Sequence, residues 1–169
     1  FADIDVTLVS SNKIADIANS EFDVAIRCCS KVGPGLGYDT LSTAPYYPYG
    51  RSNLPEIDLP EDFLTRSLLH WDTGQMWTRW FAEAGVADVK IHRSPRPFDS
   101  LLAIEGALAG QGIVLMSPEL VANDVQQGRL KQMSSLGLGF IGYFLVYSPQ
   151  SARRRAVSEF RRWLTEETV

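Results

Sequence analysis

Residues 4–29, IDVTLVSSNKIADIANSEFDVAIRCC, decide the fold because they hold two apolar stretches separated by a stretch with helical spacing. Residues 4–11 alternate apolar and polar side chains, which is typical of a strand. Residues 12–19 show the spacing of a helix, and residues 22–29 predict a second strand. A strand, a helix and a strand in close succession indicate the βαβ unit of a parallel sheet.

The elements predicted beyond this stretch continue to alternate, so the predicted fold class is α/β. Helices are predicted over 74–85, 98–112, 118–128 and 151–167, with a short one after Pro60, and strands over 68–71, 89–93, 112–118, 130–133 and 142–148. Two extended crossings, at Tyr46–Arg51 and Tyr143–Ser148, are expected to serve as hinges. They predict one lobe from residues 1–47 plus 147–169, a second lobe from 48–146, and a ligand cleft between the lobes.

Composition limits the classes of function. The 169 residues carry 16 Lys and Arg against 20 Asp and Glu, a net charge of −4, which disfavours direct binding of nucleic acid. The two cysteines are neighbours, so no disulfide framework is expected and a reducing cytoplasm is favoured over export. No apolar run approaches the roughly 18 residues of a membrane span, and no signal peptide is visible.

The order of motifs along the chain resembles the effector-binding region of LysR-type transcriptional regulators. The motifs, in order, are FADIDVTLVSS, FDVAIR, PYYPYGRSNL, DFLTRSLLHWD, WTRWFAEAGV, FDSLLAIEGALAGQGIVLMSPELV, GRL, YFLVYS and RRRAVSEFRRWL. The ordered set is the signature, since no single motif is specific. The chain is most similar to the branch that includes the regulators of glycine cleavage and of β-lactamase expression.

This resemblance implies two α/β lobes like those of a type-2 periplasmic binding protein, with a small co-inducer bound between them. It implies a homodimer or homotetramer that binds DNA through an N-terminal winged helix-turn-helix and acts on RNA polymerase. That DNA-binding part, and the family's first strand and helix of lobe one, have no counterpart in these residues. The resemblance also implies pairing of neighbouring subunits, for which the candidates are the helices at 12–19 and 118–127.

Several residues of the first lobe are candidate effector contacts. Arg27 lies at the carboxyl end of a predicted strand, where it could bind a carboxylate with two hydrogen bonds or pair with an Asp and orient the loop. Ser10, Ser11 and Asn12 could hold an anion at a helix start or serve only as an N-cap. One of the two cysteines is expected to line the cleft, with Cys28 as the candidate contact, and the other to join the core. Redox chemistry at these thiols is disfavoured, because nothing in the sequence lowers a thiol pKa.

The remaining candidates follow mainly from the resemblance. It places effector contacts at Phe98, Asp99 and Ser100, of which Ser100 has a hydroxyl to spare when Asp99 caps the helix. Tyr143 could pack its ring on the ligand and donate from its hydroxyl, or be an ordinary core tyrosine.

Other conspicuous residues are predicted to be structural. The sequence AGQGI at 109–113 lacks the features of a phosphate loop and is expected to end a helix and turn into a buried strand. Trp77, Trp80 and Phe81 are expected in the core, and the arginines of the last helix on a solvated or salt-bridged face. His70 and His92 lack further ligands at metal spacing, so neither a metal nor a cofactor is predicted.

The sequence therefore predicts a ligand-sensing domain that binds and does not catalyse. One alternative is a free solute-binding protein, which would carry an export signal. Another is a small α/β enzyme that uses Cys28 or Arg27, which would need a general base nearby.

Overall fold

The computed structural model describes residues 4–11, 14–17, 22–91 and 99–167. The chain divides into two compact units, the first comprising Phe1–Thr43 and Phe140–Val169 and the second Ala44–Gly139. Among the described residues, no helix is both long enough and apolar enough to cross a membrane.

The first unit is built on a three-stranded sheet in the order β1-β7-β2. Its strands are β1 (Val24–Cys29), β2 (Gly37–Ser42) and β7 (Gly142–Tyr147). Strand β7 lies between the other two and is antiparallel to both, so that β1 and β2 run parallel to each other. Leu145 and Val146 of the central strand are fully buried. The last helix, α4 (Arg155–Glu167), follows a short 3₁₀ turn and buries Val157.

The second unit contains a four-stranded sheet in the order β4-β5-β3-β6. The strands are β3 (Tyr47–Arg51), β4 (Leu68–Leu69), β5 (Ile113–Met116) and β6 (Leu130–Gln132), and the helices are α1 (Gln75–Glu83), α2 (Ser100–Leu108) and α3 (Pro118–Gln126). All four residues of β5 are buried, as the apolar sequence predicts for a central strand covered on both faces. A 3₁₀ helix at Pro60–Thr65 confirms the short helix predicted after Pro60.

An aromatic cluster fills the core of the second unit, as the spacing of its residues predicts. Trp77, Trp80 and Phe81 of α1 are each at most 1% exposed, and Phe63 packs against both tryptophans. Both indole N–H groups are satisfied, since Trp77 donates to the carbonyl of Leu69 and Trp80 to that of Leu136, each at 3.0 Å. These hydrogen bonds offset the cost of burying the indole nitrogens.

The glycines at 109–113 have the predicted structural role. Gly110 ends α2 with φ of +75°, a conformation that favours glycine. A Cβ on Gly112 would lie 2.3 Å from the carbonyl oxygen of Ser67. Only glycine therefore lets β5 begin beside that backbone.

Part of the predicted secondary structure is wrong. Residues 4–11 form no strand, and residues 14–17 are not helical, so the βαβ unit predicted over 4–29 is absent from the described residues. Val6, Leu8 and Val9 are more than half exposed, because the segment has no described strand to pair with. Residues 89–91 of the strand predicted over 89–93 are also irregular.

The predicted hinges lie inside the units. Tyr46 pairs with Leu138, and β3 pairs with β5 and β6, so Tyr46–Arg51 belongs to the second unit's sheet. Strand β7, which covers most of Tyr143–Ser148, is the central strand of the first unit. The division accordingly falls after residues 43 and 139, whereas the sequence placed it after 47 and 146.

Candidate functional site

The carboxyl ends of β1 and β2 meet at one end of the first unit's sheet, where three polar side chains form a row. Cys28 lies opposite Tyr143 across the β1–β7 pair, and Ser42 lies opposite Tyr143 across the β2–β7 pair. Residues directly opposite each other in antiparallel strands point to the same face, with Cα atoms about 4.5–5.5 Å apart. We call Cys28, Tyr143 and Ser42 the strand-end row. The structure thus brings together two predicted site residues, Cys28 and Tyr143.

A bulge in β2 and a glycine in β7 allow this arrangement. The register shifts between Thr40 and Ser42, which turns Ser42 toward the Tyr143 face. A Cβ on Gly142 would lie 2.6 Å from the carbonyl oxygen of Ser42. The absence of a side chain at Gly142 therefore permits the close approach of the two strands. Ser42 was not among the predicted site residues, since a bulge leaves no periodic signal.

Arg27 points away from the strand-end row, because successive side chains of a strand alternate between faces. Its guanidinium donates a hydrogen bond to the carbonyl oxygen of Ala15. Arg27 therefore holds the 14–17 segment against β1. This is the loop-orienting role considered for Arg27, although the observed partner is a backbone carbonyl and not an aspartate.

The two cysteines also occupy opposite faces of β1. Neither forms a disulfide; Cys28 is exposed and Cys29 is half-buried. The expectation that one of the two cysteines belongs to the core is therefore only partly met, by Cys29. Within the described ranges, no three His, Cys, Asp or Glu side chains are grouped so that they could hold a metal ion.

The other candidates of the first unit lie before β1. Ser10 and Ser11 are exposed and belong to no helix or strand. Asn12 lies outside the described residues, as does Phe98 of the second unit.

In the second unit, Asp99 and Ser100 begin α2. The Asp99 carboxylate accepts a hydrogen bond from the Leu101 amide at 2.8 Å, so Asp99 is the N-cap of the helix. This negative charge already occupies the helix start and disfavours an anion bound directly there. Ser100, the first helical residue, is half-buried and stays the better candidate for a ligand contact.

Comparison with known proteins assigns the family. The profile of the family described as "LysR substrate binding domain" matches residues 1–169. The chain belongs to this family. This match confirms the resemblance to the effector-binding region of LysR-type regulators that the sequence motifs indicated.

Two curated relatives support the predicted branch. The domain is 30% identical over 170 residues to the HTH-type transcriptional activator AmpR of Rhodobacter capsulatus, covering 98% of this chain and 57% of the relative. It is 23% identical over 166 residues to the glycine cleavage system transcriptional activator of Escherichia coli K12, covering 95% and 54%. The chain thus spans about half the length of the curated relatives it matches.

A solved structure shows the same fold. The effector domain of the transcriptional regulator AmpR of Pseudomonas aeruginosa matches with a TM-score of 0.81 at 24% identity, covering 99% of this chain and 82% of that chain. The predicted fold class, an α/β fold like that of type-2 periplasmic binding proteins, is confirmed.

This domain also contains a polar cluster around Arg161, one of the arginines expected on a solvated or salt-bridged face, whose partners the sequence did not identify. Arg161 of α4 binds both carboxylate oxygens of Asp39 in β2, at 2.6 and 2.9 Å. Its guanidinium lies 3.8 Å from the centre of the Tyr147 ring, and the Tyr147 hydroxyl lies 3.4 Å from the Asp39 carboxylate. We call Arg161, Asp39 and Tyr147 the α4 clamp. No local spacing signals it, because Asp39 and Arg161 are 122 residues apart.

The α4 clamp perturbs the pKa values of two of its members. Burial raises the pKa of the Tyr147 phenol, and the nearby Asp39 charge adds to this, while Arg161 acts in the opposite direction. The hydrogen bonds to Asp39 raise the pKa of Arg161. The clamp is therefore most stable with a neutral phenol and a charged guanidinium.

Proposed function

We propose that this chain is the effector-binding domain of a LysR-type transcriptional regulator, and that a small anionic ligand is its effector. The observation that carries the proposal is the family match over the whole of residues 1–169. The curated relatives described above are transcriptional activators, which favours regulation through binding over catalysis.

Hydroxyl donors support an anionic ligand. Ser10, Ser11, Ser100 and Tyr143 each carry a hydroxyl. Arg27 faces away from the strand-end row and donates to the Ala15 carbonyl, so a ligand at that row would not contact it directly. A carboxylate binds hydroxyl donors through charge-assisted hydrogen bonds, which are stronger than neutral ones.

The position of the ligand between the two lobes stays a prediction. Two features support it: the strand-end row lies at the carboxyl ends of parallel strands, where open α/β sheets bind ligands, and Ser100 begins a helix of the other unit. The effector would act by binding one arrangement of the protein more tightly than another, since a ligand with equal affinity for both shifts nothing.

We further propose that the longer regulator is a homo-oligomer in the cytoplasm, which reaches DNA and RNA polymerase through parts outside these residues. One of the two helices proposed for the subunit interface forms as helix α3, at Pro118–Gln126. Leu120 and Val125 of α3 are about 40% exposed. The other helix, expected at 12–19, is not formed at residues 14–17, so the proposal rests on α3 alone.

A thermal-shift screen of amino acids, aromatic acids and cell-wall fragments tests the proposed ligand class. A ligand at about 100 times its Kd should stabilise the chain by about 2.7 kcal/mol, which corresponds to a shift of roughly 5–10 °C for a domain of this size. Each hit is then measured on Ser100→Ala and Tyr143→Phe. Ser158→Ala, at an exposed position of α4, and Tyr38→Phe, at a more than half-exposed position, are the matched controls.

The proposal predicts that the shift shrinks in Ser100→Ala and Tyr143→Phe and persists in both controls. If no compound of the panel raises the melting temperature of this chain or of the longer protein encoded by its gene, the proposal that the domain senses such ligands is contradicted. The coding sequence upstream of Phe1 separates the two rival classes, because a winged helix-turn-helix supports the regulator and an export signal supports the free solute-binding protein.

A further inference from the structure

We draw no further inference here: the strongest candidate, the surface patch at the 3₁₀ helix Pro60–Thr65 where Leu59 and Leu64 are exposed beside the acidic Glu61 and Asp62, carries nothing because no feature of the described residues shows what covers it.

Discussion

Individual contacts decide which residues are allowed at the centre of the first unit's sheet. The Tyr147 ring lies close to Gly37 and also receives the guanidinium of Arg161. Asp39 lies two residues after Gly37 on the same face of β2 and completes the α4 clamp. A local choice of glycine in β2 thereby fixes the position of a helix more than 100 residues later.

Replacing Gly37 with alanine tests this arrangement. The new Cβ would lie 2.3 Å from the Tyr147 ring, so the ring must move away from its position beneath Arg161. We expect a loss of about 1–3 kcal/mol in the free energy of unfolding, measured with urea. Gly33→Ala is the control, because a Cβ there has no heavy atom within 4 Å. A loss in Gly33→Ala equal to that in Gly37→Ala would contradict the account.

The raised pKa of Tyr147 predicts a stability loss in alkali. A phenol whose pKa is higher in the folded than in the unfolded chain stabilises the fold below about pH 10, and this contribution disappears as pH rises through the folded pKa. Tyr147→Phe should therefore reduce the decline in the free energy of unfolding above pH 10. Burial also raises the pKa of Tyr49, so the double variant with Tyr49→Phe should decline still less. An unchanged decline in Tyr147→Phe would contradict the prediction.

At the scale of elements, the sequence predicts the buried segments well and the exposed ones poorly. Strand β5 was predicted because both of its faces are covered, which requires a continuous apolar run. Residues 4–11 carry the alternation of a strand but form none, since a strand also needs a neighbour for its backbone groups. The strand-end row was predicted only in part, because Ser42 reaches it through a bulge.

Helix α1 has a cap that can be tested separately. The Asp72 carboxylate accepts hydrogen bonds from the amides of Gly74 and Met76, each at 2.9 Å. Asp72→Ala leaves these donors without that partner and should cost about 1 kcal/mol in urea unfolding, while Asp72→Asn should cost less. Asp58→Ala, at an exposed position before the 3₁₀ helix, is the control. A similar loss in Asp58→Ala and Asp72→Ala would argue against the cap.

At the scale of the whole molecule, the two units have separate sheets and separate cores. The sequence predicted this organisation from the return of the chain to its first unit for a final helix. The predicted boundaries lie a few residues after the observed ones along the chain. The reason is that β3 and β7 look like isolated crossings between the units until their pairing partners are known. The fold and the family can thus be predicted from the order of motifs. The proposed ligand contacts are harder to predict, because which side chains lie together depends on the pairing register of strands far apart in the sequence.

Calorimetric titration of a screening hit into the wild type, Tyr143→Phe and Tyr38→Phe tests the central claim, that this domain binds a small anionic effector. The account predicts saturable binding to the wild type and to Tyr38→Phe with the same Kd. Loss of one hydrogen bond in Tyr143→Phe should weaken binding by about 1 kcal/mol, or roughly fivefold in Kd. Binding that is equally tight in all three proteins would contradict the assignment of Tyr143 to the site, and saturable binding of no anionic ligand would contradict the claim itself.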